Sequence, residues 1–392
     1  MRVALIATDD AAYEPDREPA RLGGRAISLH QLDFALGEGC TKVLCLGHGA
    51  APEAIALRHA AEGAGAQFQV LRGPRDLPAA VRGEDELLVF ARALLPDSLF
   101  GYEALRKGPV ILSLPVQPGA AAGFELLDRT TAWGGAMLIP GRLVAALDLL
   151  PEDGDPIAGL VRVARQAGVP ERALPEAELA EGRWMLLRTA EQGDAAERGW
   201  LRRRLPQVSA WRPTAWLVRA LLRRFGAGRT DRSNGGLYAR MAAVLAIAGA
   251  LAAAWYSLPL AAFGLLAVAI LGIELGDAIV QLKRPSFAGE AAPSKFSRIL
   301  RGATDLALVA VGTLAIPGAL HRRLFLAILP VALLQLWPSS DRNDWRVVAT
   351  DRLLVILALA FATSTDFAEK GFMVLTLVLL AWRIAIRPAP RG

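Results

Sequence analysis

The chain has 392 residues, of which 53% are hydrophobic and 21% charged, and its formal net charge is +6. That is too apolar for a purely soluble globule and far too apolar for a disordered chain. Charge concentrates in residues 1–235 and the apolar excess in 236–387, so the sequence reads as an α/β domain followed by a membrane domain.

The opening run MRVALIATD has a short apolar core followed by an acid, which reads as a first β-strand rather than a signal peptide. Further strands are expected at 42–46, 67–71, 87–90 and 110–114, with helices between them at 28–38, 52–63, 77–81 and 98–105. Such alternation predicts a three-layer, Rossmann-like α/β domain with a mostly parallel sheet. Helices at 141–150 and 156–167 and a short strand at 184–188 complete it, giving a domain over 1–194. Cys40 and Cys45 flank a strand, and with His48 they fall short of the four ligands of a structural zinc site, so they read as reduced, buried thiols. The histidines His30, His48, His59 and His321 are scattered through the chain and read as ordinary structural positions.

Residues 195–236 change character. The segments WLRRRL (200–205) and PTAWLVRALLRRF (213–225) are basic and amphipathic, as expected of helices lying in a membrane interface, and 226–236 reads as a hinge. Six spans are expected in 237–392, at 238–256, 258–275, 303–319, 323–337, 353–365 and 371–387. Arginine and lysine gather in the loops 276–302 and 338–352, which places both termini on the cytoplasmic side of an inner (cytoplasmic) membrane. The basic excess is thereby assigned to topology and anionic headgroups, with no nucleic-acid partner.

Chemistry concentrates in the second and third spans. Glu274 and Asp277 lie three residues apart on one helical face, and Asp305 lies one turn inside the third span. Carboxylates at membrane depth are costly unless they pair or bind a metal. The residues leave two readings open: a polar site that binds something, or a self-sufficient cluster paired with Arg298, Arg301 or Lys283.

This stretch resembles the membrane CDP-alcohol phosphotransferases, whose motif D-x2-D-G-x2-A-R-x8-G-x3-D-x3-D crosses two transmembrane helices. Carried across, the first two aspartates fall on Glu274 and Asp277, the following glycine on Ala278, and the Ala-Arg pair on Gln281 and Leu282, with Lys283 standing in for the arginine. The intervening loop is about six residues longer than the motif spacing, after which the third aspartate is Arg301 and the fourth is Asp305. Upstream, the run NGGLYAR ending in Arg240 is similar to the stretch that precedes the first span in members with a fused nucleotidyltransferase domain.

The resemblance implies transfer of a phospho-alcohol from a CDP donor to a lipid or polyol hydroxyl in phospholipid-headgroup synthesis. It implies Mg²⁺ or Mn²⁺ held by Glu274, Asp277 and Asp305, with Asp305 as the catalytic base and Lys283, Arg298, Arg301 and Arg240 on substrate phosphates. An arginine at a metal-ligand position points the other way, to an inactive paralogue with a regulatory or scaffolding role, partnered by a second copy or by an active homologue.

The N-terminal half resembles the MobA-like sugar-phosphate nucleotidyltransferases through RAISLHQLDFALGEGCTKVLCL (25–46), and the WGGAMLIP run (133–140) is similar to the fused family. Members of that family carry a glycine-rich, triphosphate-cradling loop after the first strand; here TDDAAYEPDREP (8–19) is acidic and glycine-free. Arg17, Arg21, Gly23 and Gly24 are candidate remnants, and Asp85 and Asp97 flank the fourth strand without the motif spacing. Loss of nucleotide chemistry in this domain is the expectation.

Overall fold

The computed structural model describes residues 1–8, 20–73, 75–149, 154–205, 211–225, 235–284, 294–336, 348, 351–365 and 367–385. The chain divides into two compact units, one built from Met1–Arg204 and the other mainly from Leu205–Phe225, Arg232–Leu282 and Glu290–Gly392.

In chain order the first unit contains β1 (Arg2–Ala7), β2 (Arg21–Leu22), β3 (Arg25–Ala26), α1 (Ile27–Gly37), β4 (Lys42–Leu46), α2 (Pro52–Gly63) and β5 (Gln67–Leu71). It continues with α3 (Asp76–Ala80), β6 (Glu86–Phe90), β7 (Leu94–Pro96), α4 (Leu99–Arg106), β8 (Val110–Pro115), α5 (Val116–Ala121) and β9 (Thr131–Pro140). A 3₁₀ helix (Gly141–Leu149) precedes α6 (Pro156–Gln166), β10 (Glu171–Ala173), α7 (Glu176–Ala180), β11 (Trp184–Leu186) and α8 (Ala190–Arg204).

A seven-stranded sheet forms in the order β10-β8-β9-β6-β1-β4-β5. Side chains alternate across it as the two-residue period of a strand requires. Ile6, Cys45 and Leu88 face Phe34, Leu57 and Leu105 of α1, α2 and α4. Leu5, Leu44 and Val89 face Leu77, Leu147 and Leu160 on the opposite side. The domain is therefore three-layered, and its central strands are apolar on both faces.

The expected mostly parallel sheet is mixed. β9 runs antiparallel to both β6 and β8, in the middle of the sheet. Its sequence shows neither alternation nor a strand-length run of branched residues, because both faces are buried and two glycines interrupt it. Those glycines make the irregularity in the β8–β9 register possible. A Cβ on Gly134 would stand 3.0 Å from the Leu112 carbonyl, and Gly135 has φ +79°.

The domain runs to Arg204, ten residues past the expected boundary at 194 (204 − 194), because α8 packs on it. Trp200 and Leu201 are buried, the Trp200 indole meets the His30 ring edge-on at 6.1 Å, and Arg204 stacks over Trp200 while pairing with buried Asp97 at 2.7 Å. Trp200 of the expected interfacial segment 200–205 is thus packed on the α/β unit, whereas Leu205 belongs to the helical unit.

Two buried titratable groups in this unit set opposite pH slopes. Glu38 accepts from Arg2 at 2.9 Å, while its Oε1 meets no partner among the described residues. Burial, opposed by Arg2, pushes its pKa up from 4.5 to about 7. His30 is also buried, and desolvation followed by the charge of Arg25 lowers it from 6.5 to about 3. The folded state thus keeps a proton on Glu38 that the unfolded chain releases, and stability falls as pH rises from about 4.5 to about 7. For His30 the unfolded state binds the extra proton, so its contribution is complete above 6.5 and is lost toward about 3. Glu38→Gln removes the first slope alone. Its stability relative to the native protein is expected to rise steadily from pH 4.5 to 7 in urea titrations, and a pH-independent difference would refute the assignment.

The second unit is helical: α9 (Pro213–Phe225), α10 (Gly235–Trp255), α11 (Pro259–Lys283), α12 (Lys295–Ala315), α13 (Leu320–Gln335), α14 (Arg352–Ser364) and α15 (Ala368–Ala385). A helix stands at each of the six expected spans, and among the described residues two are long and apolar enough to cross a membrane, Gly235–Trp255 and Pro259–Leu282. At 1.5 Å per residue the first is about 31 Å long, matching a hydrocarbon core of about 30 Å. α13 and α14, with 16 and 13 residues, are shorter. α12 is long enough but begins with Lys295, Arg298, Arg301 and Asp305. Phe263, Ile270, Val311, Ile356 and Phe372 form the bundle core.

The expected loop 276–302 is also shorter than predicted. α11 continues through Glu274 and Asp277 to Lys283, and α12 begins at Lys295, capped by the Ser294 hydroxyl on the Ser297 N–H. All the candidate acids therefore lie on helices.

Candidate functional site

The site begins with a close helix crossing. A Cβ on Gly272 would stand 2.9 Å from the Ala239 carbonyl, and one on Gly276 would stand 2.9 Å from Arg240 Cγ and 3.1 Å from the Gly236 carbonyl. Small residues let α10 and α11 approach this closely, and the approach carries the Arg240 guanidinium to Asp277.

On α12, Ser297, Arg301 and Asp305 recur every four residues and share a face. Ser297 donates to Asp277 Oδ1 at 2.5 Å, and Arg240 Nη2 donates to the same oxygen at 2.9 Å. Arg301 Nη2 lies 2.9 Å from both Glu274 Oε1 and Asp277 Oδ2. One turn further along, Asp305 is 4% exposed and is held from the side by α14: Arg352 Nε reaches Oδ1 at 2.9 Å and Nη2 reaches Oδ2 at 3.0 Å. Gln335 of α13 adds a bond at 3.3 Å. This fork-to-fork geometry is the strong form of an arginine–carboxylate contact.

The network extends one residue along the chain. Asp351 caps α14 by accepting from the Leu353 and Leu354 N–H groups, and it also accepts from the Thr214 hydroxyl at 2.5 Å and the Thr214 N–H at 3.1 Å, tying α9 to α14. Arg352 lies within electrostatic reach of Glu274 and Asp351 as well as Asp305. Four acids (Glu274, Asp277, Asp305, Asp351) and three arginines (Arg240, Arg301, Arg352) thus form one connected cluster at one end of the helical unit.

The structure brings most of the expected site residues together, but in an order unlike a metal centre. Among the described residues, no group of three or more His, Cys, Asp or Glu could hold a metal ion. A divalent ion needs several oxygens converging on one point. Here a guanidinium occupies the point between Glu274 and Asp277, and both oxygens of Asp305 are turned onto Arg352. As placed, the carboxylates of Glu274, Asp277 and Asp305 are engaged in ion pairs rather than converging on one point, an arrangement that does not fit Mg²⁺ or Mn²⁺. The same contacts, with the bond from Gln335, engage both oxygens of Asp305 and hold its carboxylate in place.

Arg298 is exposed, about 100° round α12 from Ser297, and does not join the stripe. The side chain of Lys283, like most of the hinge at 226–236, lies outside the described residues. Ser297, Gln335 and Thr214 were not expected at the site, and Asp351 and Arg352 were expected only as interfacial anchors on the same cytoplasmic face. The four-residue spacing of Ser297, Arg301 and Asp305 was a readable signal, whereas the charge of the loop 338–352 gave the side of the membrane for Arg352 but not its pairing with Asp305, 47 positions away.

In the first unit the candidate nucleotide residues are engaged elsewhere. Asp85 accepts from the Met1 amine and the Arg82 N–H, both at 2.9 Å, and Asp97 is paired with Arg204. Gly23 and Gly24 form the left-handed turn between β2 and β3, and a Cβ on Gly23 would stand 2.6 Å from the Trp200 ring. Arg21 and Arg25 lie on that same hairpin. Arg17 and the acidic segment 9–19 lie outside the described residues.

No family model and no curated protein matches this chain.

Proposed function

We propose that the chain is a membrane-integral protein of CDP-alcohol phosphotransferase type whose acidic site has become an arginine-paired structural node, and that it acts as a non-catalytic regulatory or scaffolding subunit in phospholipid-headgroup synthesis. The observation that carries this reading is the placement of Arg301 Nη2 at 2.9 Å from both Glu274 and Asp277. Removing that guanidinium to admit a divalent ion would break two ion pairs at once, and a cation beside it would be repelled.

The membrane assignment draws on α10 and α11 and on the apolar surface of the shorter helices. Leu245, Leu306, Phe325, Phe361 and Leu377 project outward from α10, α12, α13, α14 and α15. Exposed residues of this size on every helix are what a lipid-facing bundle requires and what water penalises. Trp255 and Tyr256 are exposed at one end of α10 and Tyr238 at the other, as in an aromatic belt. On this reading all six helices α10–α15 lie in the inner membrane, with the basic segments and both termini cytoplasmic. The first unit is a nucleotidyltransferase-like domain without nucleotide chemistry, since Asp85 and Asp97 are consumed in structural pairs.

A transferase reading is favoured by one observation: Glu274 and Asp277 retain partial exposure, 32% and 21% at the side chain. A single assay separates the two. Purified protein with labelled CDP-alcohols, lipid or polyol acceptors and Mg²⁺ or Mn²⁺ is expected to give no product, with Asp305→Ala indistinguishable from wild type. Product that Asp305→Ala abolishes would restore Asp305 as the base and overturn the scaffold.

A further inference from the structure

The strand order of the α/β unit contains one reversal. From β1 the chain moves to β4 and β5 on one side, then returns to β6 on the other side of β1 and leaves it for β8, further away. β1 is parallel to both β4 and β6, so the connections leaving β1 and β6 part in opposite directions from the same edge of the sheet. In open α/β sheets, ligands bind outside the carboxyl ends of the strands at such a reversal. The chain just past β6 is unusual. Ala91 to Leu94 form a tight turn closed by the Leu94 N–H on the Ala91 carbonyl, and Ala93 takes φ +57°, a left-handed conformation that a side chain disfavours. Gln31 of α1 holds the turn by donating to the Ala91 and Leu94 carbonyls at 3.0 and 2.9 Å. The Leu187 N–H donates to the Ala93 carbonyl at 2.9 Å, and the Ala91 N–H donates to the Gly135 carbonyl at 2.6 Å. A strained turn fixed by this many contacts is of the kind that presents a side chain for function. Here that side chain is Arg92. It is part-buried, its guanidinium has no carboxylate or carbonyl partner among the described residues, and its Nε is shut off from solvent with nothing to donate to. Arg2, Arg25, Arg165, Arg183 and Arg204 of the same unit each hold a carboxylate. Gln31 is 1% exposed, and the Oε1 of the same carboxamide that grips the turn accepts from nothing among the described residues. A buried donor and a buried acceptor on one turn, both unsatisfied by protein, call for a ligand that carries both complements.

We propose that Arg92 and Gln31 form a metal-independent site for a phosphoryl anion at the β1–β6 reversal, with the guanidinium on the phosphoryl oxygens and Gln31 Oε1 accepting from the P–OH. The planar fork of an arginine matches phosphate geometry without a cation between them. The acceptor makes the site selective. Hydrogen phosphate carries a hydroxyl proton to give to Oε1, whereas sulfate at neutral pH has none and sets acceptor against acceptor. The proposal goes beyond the function above and does not depend on it, since every group named lies in the α/β unit.

The test is equilibrium dialysis of the full chain in detergent against labelled phosphate or labelled sulfate, with EDTA throughout. On the native chain, phosphate is expected to bind about tenfold or more tighter than sulfate. Arg92→Gln should weaken phosphate by about ten- to a hundredfold, with a circular dichroism melt matching the native chain. Arg92→Lys keeps the charge without the fork and should fall between the two. Arg58→Gln removes an equal charge from α2 and should leave binding unchanged. Competition by glycerol 3-phosphate supports the site and names a soluble ester as its ligand; competition by short-chain phosphatidic acid supports it and names a lipid headgroup. Phosphate and sulfate bound equally, and unchanged by Arg92→Gln, would show an adventitious ion only. Equal binding that Arg92→Gln abolishes would remove Gln31 from the site. Binding that appears only when Mg²⁺ replaces EDTA would overturn the metal-independent reading, and no phosphate binding at all would overturn the site.

Discussion

Trp184→Ala is expected to destabilise the α/β domain by about 3–5 kcal/mol, the cost of deleting a large aromatic from a packed core. The ring is completely buried, meets Phe34 edge-on at 6.3 Å, and lies so close to Gly101 that a Cβ there would stand 2.6 Å from it. Its Nε1–H also donates to the Gly134 carbonyl at 2.6 Å, beside the irregular stretch of β9. Alanine therefore leaves a cavity and an unpaired carbonyl together. For a domain of this size the expected fall in melting temperature is about 10 °C, read by circular dichroism on the full chain. Trp184→Phe keeps most of the packing and should recover more than half of the loss. A shift in Trp184→Ala no larger than that of a surface substitution would show that the domain core is assembled differently.

The second large effect is in the helical unit. Asp305→Ala strands Arg352 beside α12 and removes the acceptor for Gln335. Breaking a buried pair from one side costs about 3 kcal/mol, most of it the desolvation of the partner left behind. Replacing both partners with apolar residues of similar volume removes that penalty. The double variant Asp305→Leu, Arg352→Met is thus expected to be closer to wild type than Asp305→Ala in detergent-resistance and thermal-unfolding measurements. A free catalytic carboxylate behaves in the opposite way: its removal leaves stability unchanged or raises it, and adding Arg352→Met would then bring no recovery. The double-mutant cycle therefore tests whether Asp305 is a strut as well as how strong a strut it is.

Much of the fold could be read directly. The main strands and helices from Arg2 to Leu105 follow hydrophobic period and capping: Pro52 opens α2, Ser98 caps α4, and the apolar runs of β1, β4 and β6 are unbroken because both sheet faces are covered. The short strands β2, β3 and β7 were not expected. β9 escaped because Gly134 and Gly135 disrupt the pattern at the place where the sheet reverses direction. The helix α8 was misplaced for a related reason. A basic helix with one apolar face looks the same whether that face meets lipid or protein, and here Trp200 and Leu201 meet protein. For α9 the composition is similar, yet its Trp216 and Leu221 remain outside.

The amino-acid order by itself determined the division into an α/β half and a helical half, the positions of six apolar helices, and the presence of Glu274, Asp277 and Asp305 near the junction of two of them. These are properties of local periodicity and composition, written into short windows of chain. The partner of each acid was decided by tertiary structure. Arg240 reaches Asp277 because glycines let two helices touch, and Arg352 reaches Asp305 because α14 packs beside α12, across 47 positions. An isolated carboxylate has the same sequence signature whether it awaits a cation or already has one. The difference lies in where a distant guanidinium ends up, and packing sets that.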